Sequence, residues 1–204
     1  LVVAGAVLVV KPGQASGGRR MEEVLTGIPP VVASDCRVLI LGSMPGAASL
    51  QAARYYAHPR NRFWPLMAAL AGVPAEATYG ERLAALQRAG IGLWDVIGEC
   101  RRAGSLDSAI VRGSERANAL VPLIVSLGQL RVIAFNGAAA ASLFRRHVEP
   151  HLPELRKPVQ RIALPSTSPA HAAMGLEALR EAWSVLVPWQ EGSAHGGTGL
   201  RAQA

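Results

Sequence analysis

Four short, largely apolar runs separated by helical patterns constrain the fold of this chain most strongly. The runs span residues 37–41, 91–96, 131–135 and 160–164. The run at 37–41, RVLIL, is continuous rather than alternating, which is typical of a strand buried on both faces of a parallel sheet, and the other three are also predicted to be strands. Apolar residues at helical spacing lie between and after them, so we predict an α/β fold with a parallel sheet, helices on both faces and right-handed crossovers.

The predicted helices are delimited by ordinary start and stop signals such as a leading Ser or Asn and a trailing Gly. They span residues 61–71, 81–89, 114–127, 138–146 and 176–186. No internal repeat is visible in the sequence.

Polar or turn residues follow all four predicted strands. They are Gly42-Ser43-Met44-Pro45-Gly46, Asp95, Asn136-Gly137, and the PSTSP segment at 165–169. Ligands bind beyond the carboxyl ends of the strands in open parallel sheets. We therefore expect these four groups to meet at one edge, and their convergence indicates a site there more strongly than any single motif.

Length and composition predict one domain with tails. The chain has 204 residues and half of them are apolar, which is enough for a sizeable core. We predict an N-terminal extension over 1–29, a single main domain over 30–189 and a flexible tail over 190–204. Residues 1–20 contain a ten-residue apolar run, too short to span a bilayer, and lie upstream of Met21, a plausible true start.

The charge balance is basic, with 21 Lys and Arg against 14 Asp and Glu and a net charge of +7. Only Lys11 and Lys157 are lysines. An arginine-rich domain is compatible with a polyanionic partner, although a GC-rich genome would also favour arginine codons. Cys36 and Cys100 have no C-x-x-C spacing, so we expect reduced thiols and a cytoplasmic protein.

Several common site types are disfavoured. The GSMPG turn lacks both the lysine of a phosphate loop and the spacing of a dinucleotide fingerprint. The five histidines show no metal-ligand spacing, so no metal site is predicted. A Ser-His-Asp triad is not excluded by residue types, but no G-x-S-x-G elbow is present.

The segment YYAHPRNRFW, at 55–64, crowds aromatic, amide and cationic residues together. Pro59 favours an extended chain, and Asn61 is a good N-cap for the following helix. Tyr56 precedes that helix in a loop, where an aromatic ring can serve as a stacking platform. The neighbouring arginines, Arg54, Arg60 and Arg62, are placed either to meet phosphates or simply to face solvent.

At these residues the chain resembles the uracil-DNA glycosylase superfamily, and within it the hypoxanthine (deoxyinosine) branch. The matching segments occur in the same order and cover about 30–188: GSMPG, YYAHPRNRFW, GLWDVIGEC, GSLDSAI, FNG and LPSTSPA. The resemblance implies a four-stranded parallel sheet between helices. It also implies a monomeric, monofunctional enzyme that needs no cofactor or metal and excises deaminated bases from DNA.

The resemblance also assigns roles around the flipped base. The turn Gly42-Ser43-Met44 forms part of the base site, and Tyr56 stacks on the base. Asn136 reads the base edge, since a carboxamide offers both an acceptor and donors, and Gly137 leaves room for the base to approach. These roles suit N-glycosidic cleavage, in which negative charge develops on the departing base.

Met44 departs from the mismatch-specific relatives, which carry an asparagine there to orient the attacking water. In the deoxyinosine branch methionine is usual at this position, and the asparagine of H-P-x-N is implied as the catalytic amide. Asn61 is therefore the first catalytic candidate, provided that helix capping does not occupy its side chain. Asp95 is the second, with structural hydrogen bonding and water activation both open as its role.

The loop after the fourth strand resembles the loop with which relatives hold phosphates and insert a wedge residue. Its predicted DNA contacts are Ser166, Thr167, Ser168 and His171, together with Arg60 and Arg62 of the earlier segment. The wedge position falls near Ala170, which is small, so His171 or Met174 could substitute.

Two other functions compete with base excision. A non-catalytic nucleic-acid or modified-base binder on the same fold would tolerate Met44. A flavodoxin-like nucleotide-binding domain is an alternative from another class, but Tyr56 and Asn136 at strand ends favour base excision or base binding over it. Hypoxanthine, uracil and xanthine share much of the edge that Asn136 would read, so the base preference stays open.

Overall fold

The computed structural model describes residues 24–171 and 173–190. Seven strands lie in these residues: β1 (Val24–Thr26), β2 (Val38–Gly42), β3 (Ile91–Asp95), β4 (Ile97–Arg101), β5 (Arg116–Ala117), β6 (Val132–Asn136) and β7 (Gln160–Leu164). The same residues form seven α-helices: α1 (Ala47–Ala52), α2 (Phe63–Ala71), α3 (Tyr79–Arg88), α4 (Leu120–Ser126), α5 (Ala138–His147), α6 (Leu176–Trp183) and α7 (Val187–Gln190). The predictions for residues 1–20 and for the tail from 191 onwards lie outside the described residues.

The central sheet is parallel and has the strand order β3-β2-β6-β7. Its four strands are the four predicted ones, each within one residue of the predicted bounds. The register pairs Gly42 with Asp95 and Asn136 with Leu164. The carboxyl ends of all four strands are thereby brought to the same edge.

Successive strand residues point to opposite sides of the sheet, so both of its faces are apolar and both are covered by helices. On one face Val38 and Ile40 pack with α2, α3 and α6, around the fully buried Trp183. On the other, Leu39 and Leu41 pack with α4 and α5. The predicted three-layer α/β/α architecture is confirmed.

The sequence pattern did not predict a second, smaller sheet. It is antiparallel, with the order β1-β4-β5. β4 follows β3 after a single residue, and Ile97 N–H donates to the carbonyl of Ser43, so the small sheet lies beside the β2 turn. Val24–Thr26, which the sequence analysis placed in the N-terminal extension, forms its edge strand β1.

Two helix predictions were wrong in extent. The helix predicted over 114–127 is only α4, because Arg116–Ala117 pairs with β4 and the Asn118 amide donates to the carbonyl of Asp95 at 2.9 Å. The helix predicted over 176–186 ends at Trp183 and continues as a 3₁₀ turn before α7. Pro188, which lacks an N–H, is incompatible with a continuous α-helix through this region.

Candidate active site

A cavity of about 290 Å³ lies at the carboxyl edge of the central sheet. All four strand ends contribute to its wall, through Gly42 to Gly46, Asp95, Asn136 and Ser166 to Pro169. The predicted convergence of these groups is therefore observed. Tyr56, His58 and Asn61 close another side, and the volume accommodates one nucleobase.

Gly42 is required by a close approach of Asp95. The two residues are register partners on neighbouring strands. A Cβ added to Gly42 would lie 2.4 Å from Asp95 Oδ1 and 3.9 Å from the Tyr56 hydroxyl oxygen. Only glycine leaves the space into which the Asp95 carboxyl and the Tyr56 hydroxyl project.

Asp95 is a buried carboxyl with an unsatisfied oxygen. Its side chain is 5 % exposed, and Oδ2 makes no hydrogen bond with any described residue. Burial, and then the negative charge of Asp107, raise the pKa of Asp95 to about 8, while Arg102 opposes the shift. The shift favours the protonated carboxyl, whereas water activation needs an ionised base. Both roles that were left open for Asp95 stay predictions.

Asp107 and Arg102 are site residues that sequence reasoning missed. Asp107 lines the cavity and accepts a hydrogen bond of 2.7 Å from Ser43 Oγ. Arg102 is buried beneath it, with Nη1 3.8 Å from Asp107 Oδ1 and Nη2 donating to the carbonyl of Pro45. Asp107 lies within the GSLDSAI segment of the resemblance, which was the available signal, but nothing local shows that it faces Ser43.

Met44 contributes only apolar surface. It is 5 % exposed and packs into the core beneath the cavity. No polar group is therefore available at the position where some relatives of the predicted family carry an asparagine.

The Tyr56 ring stacks on Phe63, with centroids 3.8 Å apart and planes inclined by 21°. Its backbone has a φ of +54°, a rare conformation for a large side chain. Burial, and then the nearby Asp95, raise the pKa of its phenol, while the Asn136 amide opposes this without forming a hydrogen bond of regular geometry. Phe63 thus fixes the ring in the cavity wall, where the predicted stacking on a base stays a prediction.

Asn61 lies beside this ring and is half committed to its helix. Its Oδ1 accepts a 3.0 Å hydrogen bond from Phe63 N, the first residue of α2. Helix α2 begins at Phe63, two residues later than predicted, and its N-cap is Arg62. Asn61 therefore makes the expected capping contact from the position before the N-cap. Nδ2 makes no hydrogen bond within the described part of the chain, so its two donors remain free at the cavity.

Comparisons with known proteins identify the family of this chain. A family model described as "Uracil DNA glycosylase superfamily" matches residues 29–187. The chain belongs to the uracil DNA glycosylase superfamily. Two archaeal relatives named hypoxanthine DNA glycosylase are similar to this superfamily member. The one from Methanosarcina barkeri is 39 % identical over 112 residues, covering 54 % of this chain and 70 % of the relative. The one from Methanosarcina acetivorans is 38 % identical over 115 residues, covering 56 % and 72 %.

A solved structure is also similar. The solution NMR structure of a protein from Methanosarcina acetivorans, provisionally described as a uracil DNA glycosylase, superposes with a TM-score of 0.66 at 29 % identity. The match covers 83 % of this chain and all of the other. The resemblance seen in the sequence motifs is thus confirmed at the level of family and fold.

Asn136 of this glycosylase-superfamily chain is paired with Thr167. Its Oδ1 accepts from Thr167 N at 2.8 Å, and its Nδ2 donates to Thr167 Oγ1 at 2.9 Å. Because both partners belong to one residue, they occupy the amide edge that could pair with a base. Reading of the base by Asn136 stays a prediction. In this structure only the second N–H of Nδ2 and the second lone pair of Oδ1 are left to bind a base. Gly137 has a φ of +107°, and a Cβ there would lie 3.1 Å from Ser166 Cβ, so a side chain would be strained and crowded at this position. Room for a base beside Gly137 stays a prediction.

Two predicted DNA contacts have other partners in this structure. Thr167 is fully buried, so its hydroxyl cannot reach a phosphate. The Arg62 guanidinium donates to the carbonyls of Ser168 at 3.0 Å, of His171 at 2.7 Å and of Met174. Arg62 thereby braces the loop from 166 to 174 rather than facing solvent.

The remaining predicted contacts lie on the surface near the cavity. Arg60 and His171 are exposed, and Ser166 and Ser168 are half-buried in the cavity wall. Ala170, the predicted wedge position, also lines the cavity, whereas Met174 packs against the core. Their roles in DNA binding stay predictions.

Other features of the described residues bear on the class of protein. They contain no cluster of three or more His, Cys, Asp or Glu suited to a metal ion. No helix among them combines the length and hydropathy needed to cross a membrane. Cys36 and Cys100 are both buried and unpaired.

The brace predicts a distinct outcome for Arg62→Lys. A lysine keeps the charge but cannot span several carbonyls with a planar fork. We expect faster backbone hydrogen exchange in the loop from 166 to 171 and an unchanged salt dependence of DNA binding. Arg60→Lys, on an exposed side chain, is the matched control and should leave exchange unchanged. If Arg62→Lys leaves hydrogen exchange at the wild-type rate, and Arg62→Ala lowers the slope of DNA affinity against salt concentration by about one, Arg62 contacts a phosphate instead.

Proposed function

We propose that this superfamily member is a monofunctional DNA glycosylase for deaminated bases. Its preferred base is hypoxanthine, followed by uracil or xanthine. It flips the base out of DNA and hydrolyses the N-glycosidic bond in base excision, and it acts as a monomer. The observation that carries the proposal is one base-sized cavity that holds both an aromatic ring fixed by stacking, Tyr56, and an amide with free donors, Asn61. The names of the archaeal relatives support hypoxanthine as the first substrate.

The chemistry of hydrolysis fits the two sides of this cavity. The C1′–N bond breaks with its electron pair passing to the base, and water adds to the sugar carbon. Tyr56 supplies a surface for the flipped base, since an aromatic ring stacks on any base. Asn61 supplies donors and a remaining lone pair that can hold the attacking water, so the protein provides positioning without a redox step.

The direct test uses a duplex oligonucleotide with a single hypoxanthine. We expect single-turnover formation of an alkali-labile strand break at that position, measured beside uracil and xanthine substrates in single- and double-stranded form. An Asn61→Ala preparation purified identically controls for a contaminating glycosylase. Absence of breaks for every base, with DNA binding retained, would contradict catalysis.

A non-catalytic binder of modified bases is the second candidate, and one observation favours it. Met44 leaves no polar group at a position where other branches carry an amide. The same assay separates the two functions, because a binder retains preference for hypoxanthine-containing DNA without forming abasic sites.

Binding to DNA should be electrostatic. The net charge of +7 and the exposed Arg60 beside the cavity motivate this prediction. Affinity for an abasic duplex should fall with salt with a slope near −0.9 per phosphate neutralised. Arg60→Ala should lower the slope by about one. An affinity that is independent of salt between about 50 and 200 mM would contradict a phosphate-binding surface.

A further inference from the structure

Two carboxyl groups at the cavity floor have unequal surroundings. Asp107 accepts a hydrogen bond from the Ser43 hydroxyl and lies 3.8 Å from the guanidinium of Arg102. Asp95, in contrast, has an oxygen, Oδ2, that makes no hydrogen bond with any described residue, although the residue is buried and lines the same cavity. One carboxyl is provided with partners suited to a negative charge, and the other is not.

These surroundings decide which of the two carboxyls ionises. Two nearby carboxylates in a low-dielectric site repel each other, so the better-partnered one takes the charge. Burial raises the pKa of Asp107, and the Ser43 hydrogen bond and Arg102 lower it. For Asp95, burial and Asp107 both raise the pKa, and only Arg102 lowers it. The phenols of Tyr55 and Tyr56 are the other titratable groups close to Asp95, and their own raised pKa values keep them neutral, while His58 lies on the cavity wall.

A neutral buried carboxyl is a hydrogen-bond donor. Asp95 lines the cavity, so its neutral carboxyl can donate a proton where a departing base would accumulate negative charge. Among the free atoms of hypoxanthine, the ring nitrogen N7 is the basic site whose protonation turns the base into a neutral leaving group. Uracil has no corresponding nitrogen.

We propose that Asp95 is the general acid of the reaction and delivers its carboxyl proton to N7 of a departing purine such as hypoxanthine. As the C1′–N9 bond breaks, its electron pair passes into the base and the Asp95 proton is transferred to N7. Water bonds to C1′ and releases one proton, which restores the neutral Asp95 carboxyl. The products are the neutral base, which carries the transferred proton at N7, and an abasic sugar, so atoms and charge balance. The inference rests on the proposed function and refines it to a purine-directed enzyme.

The expected pH dependence follows from this assignment. The active form of Asp95 is protonated, so the single-turnover rate should be flat below its pKa and fall as pH rises through about 8. Above that pH the rate should drop about tenfold per unit. Asp107→Asn removes the neighbouring negative charge and leaves Arg102 unopposed, so it should move the falling limb to lower pH.

The test combines one altered substrate with one altered residue. With wild-type protein, 7-deazahypoxanthine, which has carbon in place of N7, should be cleaved about 10²–10⁴-fold more slowly than hypoxanthine. Asp95→Asn should lower the single-turnover rate on hypoxanthine by a similar factor and should abolish the fall in rate at high pH. It should barely change the rate on 7-deazahypoxanthine. Thermal melting and binding to abasic DNA check that the variant is folded.

Distinct results would overturn the inference. If Asp95→Asn lowers the rates on hypoxanthine and on 7-deazahypoxanthine by the same factor, Asp95 has a structural role. If the fall in rate at high pH persists in Asp95→Asn, it arises from ionisation of the substrate. Rapid wild-type cleavage of the 7-deaza base would exclude transfer to N7 without requiring any variant to fold. Failure of wild-type protein to cleave any base would instead contradict the proposed function itself.

Discussion

Replacing Asn61 with alanine is expected to lower the single-turnover rate of base release by about 10²–10³-fold. Asn61 is the amide in the cavity whose Nδ2 donors are free, whereas the Asn136 amide is paired with Thr167. The change also removes the acceptor for Phe63 N–H, so stability should fall by about 1 kcal/mol. Single-turnover kinetics and thermal unfolding measured on the same preparation separate the two effects.

Asn61→Asp is the matched variant. It retains an oxygen that can accept from Phe63 N–H but removes both amide donors, and Asp caps helices about as well as Asn. We expect near wild-type stability with a large loss of rate. A folded Asn61→Ala protein that cleaves at nearly the wild-type rate would show that Asn61 serves only as a cap.

Replacing Gly42 with alanine should have a comparably large effect through a different route. The added methyl would lie 2.4 Å from Asp95 Oδ1, closer than such atoms can approach, so the carboxyl must rotate away from its position. We expect a rate loss of at least about 10²-fold on hypoxanthine, in line with the loss of a positioned acid. Overpacking should also lower stability by about 1–3 kcal/mol.

Gly80→Ala is the control for Gly42→Ala. Gly80 lies in α3, and a Cβ there meets no atom within 4 Å. This variant should keep full activity and gain up to about 1 kcal/mol in stability. The double variant Gly42→Ala with Asp95→Asn should be little slower than either single one, because both remove the same group. Additive losses would mean that Gly42 acts on something other than Asp95.

The cavity divides its chemistry between two sets of residues. The α2 side carries Tyr56 and Asn61, which face the base and the attacking water in the proposed reaction. Ser43, Asp95 and Asp107 also line the cavity, and in the proposed reaction Asp95 donates its proton to the departing base. This division explains how Met44 can be buried in the core without removing function, since no step assigned above depends on a polar group at that position.

The architecture was largely predictable because its signals are local. A run such as Val38–Gly42 is apolar on both faces, which few structures other than a buried parallel strand accommodate. Parallel strands place their carboxyl ends together, so the positions of Gly42, Asp95 and Asn136 at one cavity followed from the pattern alone. The order of the motifs along the chain also indicated the family, which the family-model match confirms.

Local signals failed where a contact depends on distant partners. β5 has two residues, too few for any periodicity, and exists because β4 lies beside it. Arg62 resembled a surface cation in sequence, yet its guanidinium reaches a carbonyl 106 residues away.

The sequence by itself determined the three-layer fold, the edge at which the site forms and the residue types gathered there. Tertiary structure decided what each side chain does. The Ser43–Asp107 contact joins residues 64 apart, and the Asn136–Thr167 pair joins residues 31 apart. Whether a carboxyl is ionised or an amide is free depends on burial and on those partners. Burial and long-range pairing arise only when the chain has folded, so no local pattern records them.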